Sequence, residues 1–209
     1  MFFTLIKPRT RRAYRTPLTP HQLWMVSLSA PVRPEKGASR TALYPFTRID
    51  EEKARRRLVG QWEVGTRDEL IGRLGVLARS GFREQARARV GVEPLAWDIA
   101  LYADAVRCGF GCGLLSEADA WTLLKNVVPK VAGTYDTWRE YGDHYLLGLS
   151  VWREGVRGTP FEELLAPQDV ADAHVKGMLD PGNRKSPWNR APWDTIRRPD
   201  RLRAAAPGA

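Results

Sequence analysis

Two residues have the types and settings for proton chemistry. Asp98 stands about one turn into a segment that is otherwise apolar nearly all round: Leu95, Trp97, Ile99, Ala100, Leu101, Ala103, Val106 and Phe110. A carboxylate there is costly to bury unless it is paired. Either it takes backbone donors from another segment or pairs with an arginine such as Arg83, or it sits in a tryptophan-lined pocket with a shifted pKa suited to acid–base work. His144 lies beside Asp143 and is one of three histidines, with His21 and His174. If the helices carrying Asp98 and His144 pack antiparallel, the two side chains can meet as a His–Asp pair, a common general-base arrangement. Otherwise His144 is a satisfied structural or surface residue. No Gly-x-Ser-x-Gly nucleophile accompanies them.

The binding candidates are mostly aromatic. There are eight tryptophans, and large rings mark where a core or a pocket lies. Trp138, Tyr141, Tyr145, Leu149 and Trp152 recur at helical spacing, which reads first as core. Trp188 and Trp193 sit in Ser186-Pro187-Trp188-Asn189-Arg190-Ala191-Pro192-Trp193. A proline-stiffened segment of this kind either clamps its rings onto the body or presents them to a protein partner, since Trp and Arg dominate interface hot spots. Trp97, Arg83, Trp138, Tyr145, Trp188 and Trp193 are the residues expected to carry binding. Cys108 and Cys112 would share a helix face. No nearby ligand completes a metal tetrad around them, so they read as two small buried residues. No phosphate-cradling loop, dinucleotide fingerprint or His-Glu-x-x-His helix is present. Neither a metal nor a cofactor is expected.

Charge is unevenly placed. Residues 1–48 hold nine lysines and arginines against one acid, Glu35, which is +8 of the chain's +9. A basic stretch over residues 7–48 is open to nucleic acid, an anionic surface or an acidic partner. It can equally be a solvated tail, for it shows no recognisable nucleic-acid motif. No run approaches the roughly 18 apolar residues of a membrane span. The charges of the first residues also follow the apolar run instead of preceding it, unlike a signal peptide. A cytoplasmic protein is expected, with export lacking a standard signal as the alternative.

These residues must be positioned by helices, for no convincing alternating strand and no repeat occurs. Thr19-Pro20 opens a helix of roughly 19–30, and charge order marks another over 48–60. Thr66 to Glu69 is a capping box that starts a third, running to Gly81. A short helix over about 83–89 precedes the apolar one, roughly 94–110. Ser116 to Asp119 caps the next, which Pro129 should kink or end. Thr137 and Glu140 form a further capping box, opening a helix of roughly 137–154. Thr159-Pro160 starts a short turn of helix, and from Gly177 onward there is little periodicity. The expected fold is all-α: one compact bundle of about six to eight helices over residues 17–195. A basic arm (1–16), an irregular Pro/Trp-rich C-terminal segment and a basic tail (196–209) complete it.

Several pieces, taken in order, resemble a known family. They are Trp62, Arg67-Asp68-Glu69-Leu70, Gly81-Phe82-Arg83, Ala96-Trp97-Asp98, the Gly111-to-Ala120 turn and helix start, Thr137-Trp138-Arg139-Glu140-Tyr141-Gly142, Tyr145 with Gly148 and Trp152, Ser186-Pro187-Trp188 and Pro192-Trp193. The set, over about residues 58–193, is similar to the bacterial family of the domain of unknown function numbered 1266 (YbeU/YbeR-like proteins). The resemblance implies an α-helical domain and no established reaction. Phe82 stands where the family pattern favours histidine, and Leu101 where it favours arginine. The expected function is a non-enzymatic protein-interaction module, in a toxin, effector or stress-linked locus by loose analogy. The alternatives are a hydrolase-type domain using Asp98 and His144 in a tryptophan-lined cleft, and nucleic-acid association through residues 7–48.

Overall fold

A computed structural model of the chain describes residues 18–32, 42–43, 48–159 and 166–197. The expected arm, most of the stretch over 7–48, the turn after Thr159-Pro160 and the last part of the tail lie outside the described residues. The described part is an all-α bundle built around one helix, Leu95–Gly111, in which every residue is buried. Such a helix has no polar face to offer water, so others must surround it.

In chain order the α-helices are α1 (Pro20–Ser27), α2 (Arg48–Trp62), α3 (Arg67–Arg79), α4 (Arg83–Val90), α5 (Leu95–Gly111), α6 (Glu117–Thr134), α7 (Trp138–Val156), α8 (Gln168–Leu179) and the single turn α9 (Pro187–Arg190). Two 3-10 turns, Ala30–Val32 and Trp193–Arg197, complete the described elements. Helices α2, α3, α6 and α7 pack against α5. The closest approach of α5 and α7 is at Gly148, where a Cβ would run into the side chain of Trp97.

The helix starts form as their sequences dictate. Thr19, Thr66 and Ser116 each make a reciprocal capping box, with Gln22, Glu69 and Asp119. Thr137 caps α7 by accepting from the Glu140 amide, but the Glu140 carboxylate takes the Asp136 amide, one residue ahead of the cap. Three expectations need correcting. Helix α1 stops at Ser27, where the chain passes into the 3-10 turn. Of the two outcomes expected at Pro129, a kink or an end, the end is not found: α6 continues to Thr134, with buried Val127 and Val131 on either side of the proline. Helix α8 lies where no helix was placed: Ala171, Val175 and Met178 are buried at helical spacing behind Pro167.

The C-terminal segment folds back onto the body. Trp188 and Trp193 are 2% and 5% exposed. They join Trp24, Trp138, Tyr135 and Tyr141 in one aromatic cluster. Trp138 stacks on Trp188 at 5.2 Å and meets Trp193 edge-on at 4.7 Å. Each indole N–H of the three finds a backbone carbonyl: Trp138 on Ala191, Trp188 on Ser27 and Trp193 on Tyr135. Tyr141 donates to the Leu28 carbonyl. A smaller cluster lies further along α7, where Trp97 meets Tyr145 at 5.4 Å and Trp152 at 6.1 Å.

Candidate functional site

Asp98 faces fully inward and is saturated with donors. One oxygen accepts the Phe82 amide at 2.8 Å; the other takes the Arg83 amide at 3.2 Å and Arg83 Nη1 at 2.8 Å. Arg83 is buried too, and its guanidinium also donates to the carbonyls of Leu77, Ala78 and Arg79 at the end of α3. One ion pair therefore caps the end of α3 and the start of α4 and ties both to the first turn of α5, which carries Asp98. Gly81 makes this possible. Its φ is +58°, a left-handed conformation that favours glycine, and a Cβ there would collide with the Asp98 carboxylate. Burial pushes the Asp98 carboxyl above the ordinary aspartate value, and the three hydrogen bonds from Phe82 and Arg83, with the Arg83 charge, pull it back in part.

His144 is half-buried and has a different partner. Its Nδ1 lies 3.2 Å from the Tyr135 hydroxyl, which in turn accepts the Ala96 amide at 2.8 Å. Tyr135 thus caps the start of α5 from the end of α6, and its ring meets that of His144 edge-on. No hydrogen bond or ion pair joins Asp98 to His144 among the described residues. The other histidines are also engaged: His21 Nε2 lies 2.9 Å from the Thr195 carbonyl and His174 Nε2 lies 3.0 Å from that of Ala30.

Two further buried charges were not singled out by sequence. Arg107 reaches the carbonyls of Leu43 and Ala42 and the Ser29 hydroxyl, tying residues 42–43 and 29 to α5. Asp104 lies 2.9 Å from Arg57 Nε, though out of hydrogen-bond alignment. Both sit on the same apolar helix as Asp98, and a charge amid apolar neighbours is the signal that could have found them. Cys108 and Cys112 are buried and form no disulfide. Among the described residues no group of three or more His, Cys, Asp or Glu could hold a metal ion.

What the fold leaves open is a groove. It lies between the ends of α2 and α7, with α3 and α4 alongside, and has a volume of about 430 Å³. Trp62, Phe82, Trp97 and Trp152 wall it with Leu101 and the exposed Val76. Phe82 and Leu101 therefore fall in the same cavity. The Trp97 indole N–H is buried with no acceptor among the described residues. Of the residues expected to bind, Trp97 alone lines this groove, and only as its floor, since the ring is 1% exposed. Trp138, Trp188 and Trp193 are buried in the other cluster, away from the groove. Arg83 is consumed by Asp98, and Tyr145 packs behind Trp97.

Fold and site together define a helical bundle with a structural charge clasp and an aromatic surface groove. The chain belongs to the family described as "Protein of unknown function (DUF1266)", which matches residues 47–193. That span takes in all of α2, beyond the motifs quoted from about residue 58. No curated protein and no solved structure matches the chain. No helix among the described residues is long and apolar enough to cross a membrane.

Proposed function

We propose that this protein is a non-enzymatic interaction module that receives part of a partner protein in the groove of Trp62, Phe82, Trp97 and Trp152. The observation that carries this reading is the contrast between two regions. Of the polar groups suited to catalysis, Asp98 is spent on the Phe82 and Arg83 amides and the Arg83 guanidinium, and His144 sits apart from it against the Tyr135 hydroxyl. The aromatic wall is open and of a size that binding sites use. Trp62, Phe82 and Trp152 are half-buried on that wall, and tryptophan is enriched among the residues that carry binding energy at interfaces. The test is an affinity capture from source cells with the wild type and with Val76→Glu, which places a charge on the groove wall at an exposed position. A partner retained by the wild type and lost by the variant, with equal melting temperatures, supports the reading. Equal capture by both would overturn it.

A second reading rests on the basic stretch over residues 7–48, whose charge suits nucleic acid or an anionic surface. It requires binding that falls steeply with salt and disappears when Lys7, Arg9, Arg11, Arg12 and Arg15 are together replaced by glutamine. Salt-insensitive binding by that variant would exclude it.

A further inference from the structure

The groove has a second lobe. A smaller cavity of about 130 Å³ adjoins it between α4 and α7, against Ala86, Pro94, Gly148 and Val151. Phe82, Gln85, Trp97, Trp152 and Val156 line both lobes, so the two share one wall. A large aromatic side chain suits the larger lobe and a small aliphatic one the smaller.

Gln85 stands where the lobes meet. It is exposed, and its side-chain amide has no hydrogen-bond partner among the described residues. A primary amide offers two donors and one acceptor. That set matches the C=O and N–H of a main chain passing from one lobe to the other. A compact ligand filling a single lobe has no need of it.

The charges at the mouth select further. Arg89 lines the smaller lobe, its guanidinium lying across α7 with Nη1 3.3 Å from where a Cβ of Gly155 would stand. It has no ion pair among the described residues. Arg73 lines the larger lobe; its only described ion pair is to Glu63, at 3.9 Å with both groups largely exposed. An exposed pair of that length contributes little. The lining therefore carries two available guanidiniums against one loosely held carboxylate. Such a surface favours negative charge in what it binds.

Resting on the interaction reading above, we propose that the twin-lobed groove takes an extended acidic peptide segment of the partner. Its large apolar residue fills the Trp62–Trp152 lobe and a small apolar one fills the lobe beside Ala86. Its main chain crosses at Gln85, and its carboxylates face Arg73 and Arg89. The lobes supply affinity, and the arginines supply selectivity.

The probe is a randomised nine-residue peptide library displayed on phage, selected against the full-length protein. Selected sequences should combine Trp, Phe or Leu with Asp or Glu. Synthetic copies should bind the double variant Arg73→Glu/Arg89→Glu about tenfold or more weaker, and bind the wild type more weakly as salt rises. Gln85→Leu should weaken every selected peptide, with circular dichroism and melting unchanged. Selection of apolar peptides with neutral or basic flanks would overturn the acidic inference and leave the interaction reading standing. Competition by N-acetyltryptophanamide as effective as by the peptides would overturn it in favour of a small-ligand site. A library yielding no sequence whose binding depends on Val76→Glu would overturn both.

Discussion

Removing the Asp98 carboxylate charge strands the Arg83 guanidinium inside the protein. Breaking one side of a buried, hydrogen-bonded pair costs about 3–5 kcal/mol. Asp98→Asn should therefore shift the urea midpoint strongly, and an unchanged midpoint would contradict the clasp. Gly81 offers a sharper comparison. Gly113 also has a left-handed φ, +84°, but a Cβ there meets nothing within 4 Å. Gly113→Ala should carry the backbone strain alone, about 1–2 kcal/mol. Gly81→Ala adds a collision with the carboxylate and should unfold at clearly lower urea. Asp98 was legible as a buried charge in need of a partner, with Arg83 as one named choice. Its separation from His144 was not, because helix periodicity fixes a face and says nothing of which neighbour that face meets. Arg107 and Asp104 escaped for a related reason. Their partners lie tens of residues away, at Leu43 and Arg57, where the local pattern carries no trace of the pairing.

Helix starts are where local chemistry was most readable, and they give a pH-dependent test. The amides of Gly65 and Thr66 hold the Glu69 carboxyl below its ordinary value. A carboxyl lowered in the folded state binds fewer protons there than when unfolded. Its stabilisation is thus complete above the ordinary glutamate value and is lost as pH falls through the lowered one. Glu69→Gln should melt below the wild type at neutral pH, with the two curves converging in acid. Helix ends and interruptions were harder to read. A proline marks a lost hydrogen bond, but packing by Val127 and Val131 outweighs it at Pro129. Helix α8 escaped notice because its apolar stripe is only three residues, Ala171, Val175 and Met178. Between α5 and α7 the contact depends on the absence of a side chain at Gly148. Gly148→Ala should separate the helices at Trp97 and cost about 1–3 kcal/mol, measurable by calorimetry.

At the scale of the whole molecule, the C-terminal segment closes the bundle. Trp188 and Trp193 supply core that α1 and α7 lack by themselves, and Arg197 pairs with Asp136 at the rim. Trp188→Ala should cost about 3–5 kcal/mol, read by denaturant titration, while peptide binding in the distant groove persists in the fraction that remains folded. The all-α class and the clamped Pro/Trp segment were both legible, since ring-rich segments must bury their area somewhere. The groove was not. It is made by the ends of α2 and α7 with the flanks of α3 and α4, and no single stretch of sequence contains it.

Two thiols, one on the innermost helix and one just past its end, give this molecule a built-in clock. Cys108 and Cys112 form no disulfide and are nearly inaccessible, and burial pushes the Cys112 thiol up. Only the thiolate is nucleophilic, so an alkylating reagent must wait for α5 to be exposed. With reagent in excess, the pace of labelling at Cys108 in native buffer then counts the openings that expose α5.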